Sequence, residues 1–259
     1  MPVRSPAYPG KPKHPRANGG SARGAQTWTR RVHDLLRSEI RSGELPQGAI
    51  LVEDRLMESL AASRTSVREA LQQLAISGLV TRVPRGGTRV VDRITQVSLT
   101  DILPREFQYD FKVLIIDRRI VPATDLIRAR LGVADDQVGF VEHFFVSGEE
   151  PVGVRAVYHR ADVVQPAGWR QCPSLGEAFE FVFGRPLGAI ESTIDAVPAD
   201  QKTADLLGVV VGSPMLVVEQ SLYDADGVCQ EFTFTRYRAN RVSLTSLVAM
   251  PTAGSLNHR

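Results

Sequence analysis

Arg64, Thr65 and Arg68 fall within about one helical turn of each other. Their side chains are of the kind that read base-pair edges. An arginine fork donates two parallel N–H bonds to guanine O6 and N7, and a threonine methyl or hydroxyl meets a neighbouring base or phosphate. Ser63 and Ser66 flank them. Ser66-x-x-Glu69 has capping-box spacing, and Ser63 is an alternative cap. Either choice leaves the arginines at the start of a helix, the end that meets base edges when a helix enters the major groove. A second basic cluster follows at Arg85-Gly86-Gly87 and Arg89. A Gly-Gly tip lets a backbone approach a phosphate or enter the minor groove.

Two apolar-periodic helices must hold the first cluster. Val52, Leu56 and Leu60 recur at i, i+4 and i+8, and Val67, Ala70, Leu71 and Leu74 form the inner stripe of the next helix. Gly78 ends that helix as a C-terminal glycine does. Residues 79–83 and 88–91 then read as two strands around the Gly-Gly tip. Upstream, Val32, Leu35, Leu36, Glu39 and Ile40 mark an amphipathic helix that Ser42-Gly43 stops, and Leu45–Gly48 is a turn. Together these make a helix-turn-helix with a basic wing, which implies duplex DNA as partner. Net charge alone, at +2, would not. The asymmetry does: from Ser63 to Val91 there are five arginines and one acid, Glu69.

Residues 1–26 hold five prolines, and no acid occurs before Asp34. This composition reads as a disordered basic arm, able to add salt-dependent phosphate contacts or simply to trail. No apolar stretch follows Arg4 as a signal peptide requires, and no run of about 18 apolar residues occurs, so neither export nor a membrane span is expected. Cys172 and Cys229 lack metal-ligand spacing and are expected as free thiols in a cytoplasmic protein. The five histidines, at 14, 33, 143, 159 and 258, belong to no catalytic motif. No catalytic residues, metal site or cofactor are therefore expected.

Residues 93–108 read as a linker, 109–250 as a second domain and 251–259 as a flexible tail. The second domain alternates strands (111–121, 139–146, 152–158, 188–197, 215–222, 229–238) with short helices (124–131, 174–183, 199–207). An internal repeat runs through it. Pro122-Ala123 precedes Leu131-Gly132-Val133, and Pro198-Ala199 precedes Leu207-Gly208-Val209 at the same spacing. Each is followed by a strand, a Gly-containing turn and a returning strand. Two related halves around one mixed sheet are expected, with a pocket between them.

Residues 27–92 resemble the winged-helix domain of the GntR family of bacterial regulators. The resemblance rests on Ile40-x-x-Gly43-x-Leu45-x-x-Gly48, Ser63-Arg64-x-x-Val67-Arg68-Glu69-Ala70-Leu71, Leu74, Gly78-Leu79-Val80 and Gly86-Gly87. One departure is Asp54, where many members carry an arginine that joins base readout. Residues 109–247 resemble the UTRA effector domain of the HutC-type branch, a fold akin to chorismate lyase. The motifs are Ser174-Leu175, Phe183-Gly184, Ala204-x-x-Leu207-Gly208-Val209-x-x-Gly212-x-Pro214, Tyr223-Asp224-x-Asp226-Gly227-x-x-x-Glu231 and Tyr237-Arg238-x-Asn240-Arg241. The implied fold is α/β and multidomain, with an α+β effector domain built on a mixed or antiparallel sheet.

The resemblance implies a regulator that binds a palindromic DNA operator as a homodimer and answers to a small polar or anionic metabolite. DNA contacts are then expected from Ser63, Arg64, Thr65, Ser66, Arg68, Arg85, Gly86, Gly87 and Arg89. Effector contacts are expected from Glu142, His143, Arg155, Tyr158, Ser174, Glu231 and Tyr237. The family often has Arg-x-Arg where this chain has Glu142-His143-Phe144-Phe145, and Glu where it has Arg155, as though the charges were exchanged. Two alternatives stay open: a cross-strand Glu142–Arg155 ion pair, and a structural hydrogen bond from Glu231 near the Gly227 turn. Arg238 and Arg241 read as ion-pair partners. An enzyme on the lyase-like fold and a DNA-binding protein without effector are the competing classes.

Overall fold

The computed structural model describes residues 22–83, 87–91, 94–99, 111–164, 166 and 168–246. The chain divides into two compact units between Asp92 and Arg93.

In the first unit helix α1 spans Ala22–Ser42, so it begins inside the stretch expected to be a disordered arm. Alanine and arginine are good helix formers and extend it upstream. Its buried stripe is Thr29, Val32, Leu36 and Ile40. Helix α2 (Glu53–Leu60) and helix α3 (Arg64–Ile76) are joined through Ala61, which takes the left-handed conformation at φ 49°. Ser63 is the cap of α3: its Oγ accepts from Ser66 N at 3.2 Å. Glu69 is not part of a capping box, because it accepts from Thr29 Oγ1 at 2.8 Å and ties α3 to α1. The helix ends in a Schellman motif, with Leu79 N donating to Leu74 O and Gly78 N to Ala75 O, both at 3.0 Å. Strand β1 (Ile50–Leu51), absent from the sequence expectation, joins β2 (Val80–Val83) and β3 (Gly87–Val90) in the order β1-β3-β2.

The second unit is built on six strands: β5 (Phe111–Pro122), β6 (Gln137–Ser147), β7 (Glu150–Arg160), β8 (Leu187–Pro198), β9 (Pro214–Asp224) and β10 (Cys229–Arg238). They run β5-β6-β7-β10-β9-β8, antiparallel at every pairing. The parallel pairing lies apart, between β4 (Thr95–Ser98) and β11 (Val242–Thr245). Strand β4 thus falls in the stretch expected to be a linker. Val97 and Val242 are buried in a cluster with Val113, Phe145 and Tyr237.

The sequence repeat is a structural one. Helix α4 (Asp125–Leu131) follows β5 and helix α6 (Gln201–Leu207) follows β8. Thr124 caps one through Ile127 N and Asp200 caps the other through Thr203 N. Both end in a left-handed glycine, Gly132 at φ 61° and Gly208 at φ 63°. Ala123 N donates to Asp136 O, and Ala199 N to Ser213 O, each at 2.8 Å. A hairpin follows each helix, and the local two-fold runs between β7 and β10. The pair Pro122–Gln137 corresponds to Pro198–Pro214, and Val138–Arg160 to Met215–Arg238. Accordingly the pairs Arg155–Thr235 and Val157–Thr233 exchange places under the rotation. α4 and α6 cover one face of the sheet. Helix α5 (Leu175–Phe183) covers the other, packed on Leu222, Leu187 and Ile190.

Candidate DNA-contact and effector sites

Arg64, Thr65 and Arg68 project from the exposed face of α3 while Val67, Ala70, Leu71 and Leu74 fill its buried side. Ser66 belongs to the buried side. It is 1 % exposed and its hydroxyl accepts from Ser63 Oγ at 3.0 Å, so it does not join the DNA face. Ser63 is exposed, with its hydroxyl committed to the cap. Both arginines are held by the preceding helix: Arg64 Nη2 donates to Asp54 Oδ1 at 2.7 Å, and Arg68 Nε to Glu53 Oε2 at 2.8 Å. Arg89 is exposed on β3. Arg85 and Gly86 lie outside the described residues. Gly87 has φ +86°, and a Cβ there would stand 2.9 Å from Leu51 O. Its requirement is therefore the β1–β3 contact inside the wing sheet.

In the second unit the structure brings His143, Arg155 and Glu231 together beneath α5. They line a cavity with Val157, Trp169, Leu175, Phe179 and Leu222. Arg155 Nη2 donates to Glu231 Oε1 at 2.5 Å, with side chains only 2 % and 10 % exposed. His143 is buried and meets Trp169 edge-on, centroids 5.8 Å apart. Trp169 belongs to a short 3-10 turn, Trp169–Gln171, ahead of α5. Three buried polar atoms on this face of the sheet, Arg155 Nε, Thr233 Oγ1 and Thr235 Oγ1, have no hydrogen-bond partner among the described residues. Thr233 and Thr235 were missed in the sequence. The signal was there in Glu231-x-Thr233-x-Thr235, a polar alternation in a strand that reads as buried.

The Glu142–Arg155 pair that the sequence left open as an alternative does not form; Arg155 pairs with Glu231. A register shift between Phe145 and Val146 moves the hairpin by one residue, so His143 lies opposite Arg155 and Glu142 opposite Ala156. A one-residue slip exchanges the faces of every side chain beyond it. Glu142 consequently stands on the α4/α6 face, and Tyr158 does too, being three residues from Arg155 on the same strand, so both lie away from the cavity. Tyr158 packs against Phe140, centroids 5.3 Å apart. Burial, with Asp117 adding to it, raises the Glu142 carboxyl above the ordinary range. Tyr237 is fully buried and stacked on Phe145 in the cluster that seats β4 and β11. Ser174 caps α5: its Oγ accepts from Glu177 N at 3.1 Å and donates to Glu177 Oε1 at 3.0 Å. Arg238 and Arg241 clamp the β6–β7 turn, with Arg241 Nε on Glu150 Oε2 at 2.9 Å and Arg238 Nη1 on Pro151 O at 2.8 Å.

A larger cavity, about 220 Å³, lies at the β5 end of the sheet, with Arg119 and His159 in its wall. Its polar groups are turned to local partners: Arg119 Nε to Asp117 at 3.1 Å, and His159 Nδ1 to Arg160 O at 2.8 Å. The cavity under α5 is the one where charge and hydrogen-bonding groups converge. Among the described residues no cluster of His, Cys, Asp and Glu is placed to hold a metal ion. No helix there is long and apolar enough to cross a membrane.

Comparison with known proteins agrees with both units. Residues 28–90 match the bacterial regulatory proteins of the gntR family, and residues 107–243 match the UTRA domain. The HTH-type transcriptional regulator Rv0792c of Mycobacterium tuberculosis is 26 % identical over 246 residues, 90 % of either chain. The HTH-type transcriptional repressor NagR of Bacillus subtilis is 22 % identical over 81 % of this chain and 90 % of its own. The crystal structure of PhnF from Mycobacterium smegmatis shares the fold, with a TM-score of 0.57 at 24 % identity over 84 % of this chain and 99 % of that one. The first two are transcriptional regulators. With a winged helix-turn-helix in front and an antiparallel UTRA sheet behind, the chain belongs to the GntR family of bacterial transcriptional regulators, in its HutC-type, UTRA-containing branch.

Proposed function

We propose that this regulator is a ligand-responsive repressor. It binds a palindromic operator as a homodimer, and its DNA affinity is set by a small polar or anionic metabolite held under α5. The observation that carries the effector reading is the buried Arg155–Glu231 pair beside the partnerless Thr233 and Thr235 hydroxyls. A buried hydroxyl without a partner costs about 1–3 kcal/mol. A core under no demand but stability would carry valine at both positions. A guanidinium suits a carboxylate or phosphate, and threonine hydroxyls suit a hydroxylated body. The cavity encloses about 20 Å³, room for about one water molecule. Ligand entry therefore requires α5 or the Trp169 turn to move outward, which gives ligand binding a conformational consequence.

The DNA reading assigns base contacts to Arg64 and Arg68, nearby contacts to Thr65, and phosphate contacts to Arg89, Arg85 and the glycine tip. Homodimers fit because one winged helix reads a half-site. The site of action is the cytoplasm, where the operator is. The test has two arms. The full chain is used to select duplexes from a random pool, and Arg64→Ala and Arg68→Ala should each weaken the selected site by about 1–3 kcal/mol. A metabolite panel is then screened by thermal shift and by release of that duplex. Arg155→Met should lose the response while retaining duplex binding. A response that survived Arg155→Met would remove the cavity from the mechanism.

A further inference from the structure

We infer that Asp54, seconded by Glu53, is a specificity-determining residue: it tethers the recognition arginine for a base edge and withholds it from phosphates. The inference rests on the assignment of α3 as the recognition helix. Two carboxylates from the first turn of α2 reach across to the two arginines of α3, Asp54 Oδ1 to Arg64 Nη2 at 2.7 Å and Glu53 Oε2 to Arg68 Nε at 2.8 Å. A DNA-binding face usually gathers positive charge, because phosphate neutralisation drives affinity. This one spends two negative charges on its own reading residues.

The atoms engaged explain how. Glu53 takes the Nε–H of Arg68 and leaves its two terminal amino groups, the pair that faces guanine O6 and N7 end-on, without a bond to it. Asp54 takes one N–H of Arg64 Nη2 and leaves Nη1 and Nε. The arginines are about half exposed, 52 % and 57 %, so the pairs add little to stability. Their effect is on partition between two kinds of DNA contact. A lone arginine swings on four side-chain bonds to whichever phosphate is nearest, on any sequence. A tethered one meets phosphate with a carboxylate beside it and loses there. At a guanine edge, where direction matters, the tether presets the approach. Asp54 is also an acceptor of the kind that takes a cytosine N4 amino group.

The test uses the full chain and two fluorescent duplexes, one selected from a random pool and one of scrambled sequence. In Asp54→Asn the freed Arg64 gains a phosphate on the scrambled duplex. The slope of log K against log salt should steepen by about 0.9, and affinity at 0.15 M salt should rise about fivefold. On the selected duplex affinity should fall, so that the selected-to-scrambled ratio drops by about fivefold or more. Single-base variants of the selected duplex should place the lost discrimination at, or next to, the base pair where Arg64→Ala loses it. In an Arg64→Ala background Asp54→Asn should leave the ratio unchanged. Equal gains on both duplexes would mean plain charge repulsion and overturn the tether, as would no change on either. If Arg64→Ala itself spared the ratio, the recognition-helix assignment would fail instead.

Discussion

Replacing one member of the Arg155–Glu231 pair tests the centre of the effector unit. Both side chains are nearly or wholly buried, and the single contact of 2.5 Å uses one amino group and one carboxylate oxygen. Arg155 Nε finds no partner among the described residues, so the pair is only partly satisfied even when intact. Arg155→Met leaves a carboxylate, and Glu231→Leu a guanidinium, in that setting without its counter-charge. Each single substitution should destabilise the unit by about 3–5 kcal/mol. The double substitution, of similar volume, should recover to within about 1 kcal/mol of the parent or exceed it, since desolvation of two charges is removed with their attraction. Urea unfolding followed by Trp169 fluorescence in a Trp28→Phe background isolates the second unit, because Trp28 lies in the first. At about 2 kcal/mol per molar urea, each single variant lowers the midpoint by about 1.5–2.5 M. A shift below about 0.5 M for either would place the pair in the class of surface ion pairs and refute the reasoning.

Three further outcomes are expected. Gly87→Ala should destabilise the winged unit by about 1–3 kcal/mol in denaturant unfolding, from its φ of +86° and the 2.9 Å approach to Leu51 O; an unchanged midpoint would show the wing sheet able to rearrange. Burial pushes the Cys229 thiol up to about 11, so alkylation of the native chain at pH 8 should label the partly exposed Cys172 and spare Cys229, as read by peptide mass; equal labelling would contradict the burial. The Thr203 N–H holds the Asp200 carboxyl below the usual carboxylate range, and the Arg241 hydrogen bond does the same for Glu150. Folded values lower than unfolded ones give stability that is present above about pH 4 and lost as pH falls through the folded values. Asp200→Asn and Glu150→Gln should each flatten that acid limb of melting temperature against pH, and an unaltered limb would remove the linkage.

Much of this was legible in the chain because local chemistry sufficed. Ser63, Thr124 and Ser174 cap the helices they precede, Gly132, Gly184 and Gly208 end them in left-handed turns, and 229–238 is a strand at the expected bounds. The repeated Pro-Ala and Leu-Gly-Val spacing announced the two halves. What escaped depended on distant partners. Strand β4 is four residues with no strong alternation, and it is fixed by β11, far along the chain. Ser66 read as exposed because helix phase near a cap is uncertain by one position, and here that position turns it inward. The largest miss, Glu142 placed with Arg155 on the effector side, came from one register shift beside a turn, which no residue type there declares.

The two-fold between the halves carries a statement about ancestry. Arg155 and Glu231 are in contact across the seam but are not equivalent: Arg160 answers to Arg238, so Arg155 answers to Thr233 and Glu231 to Gly153. Had the half-unit once served as two identical chains, Arg155 and Thr233 would have been one residue type, and Glu231 and Gly153 another. An arginine–glutamate pair would then have been present twice on one face of the sheet, with all its charges to desolvate. A single pair, with Gly153 and Thr233 at the equivalent positions, requires halves that share one gene and mutate separately. That separation also breaks the equivalence of the two sides of the cavity, giving it a distinct cationic and anionic end, so that a molecule with a head and a tail has one way round to fit.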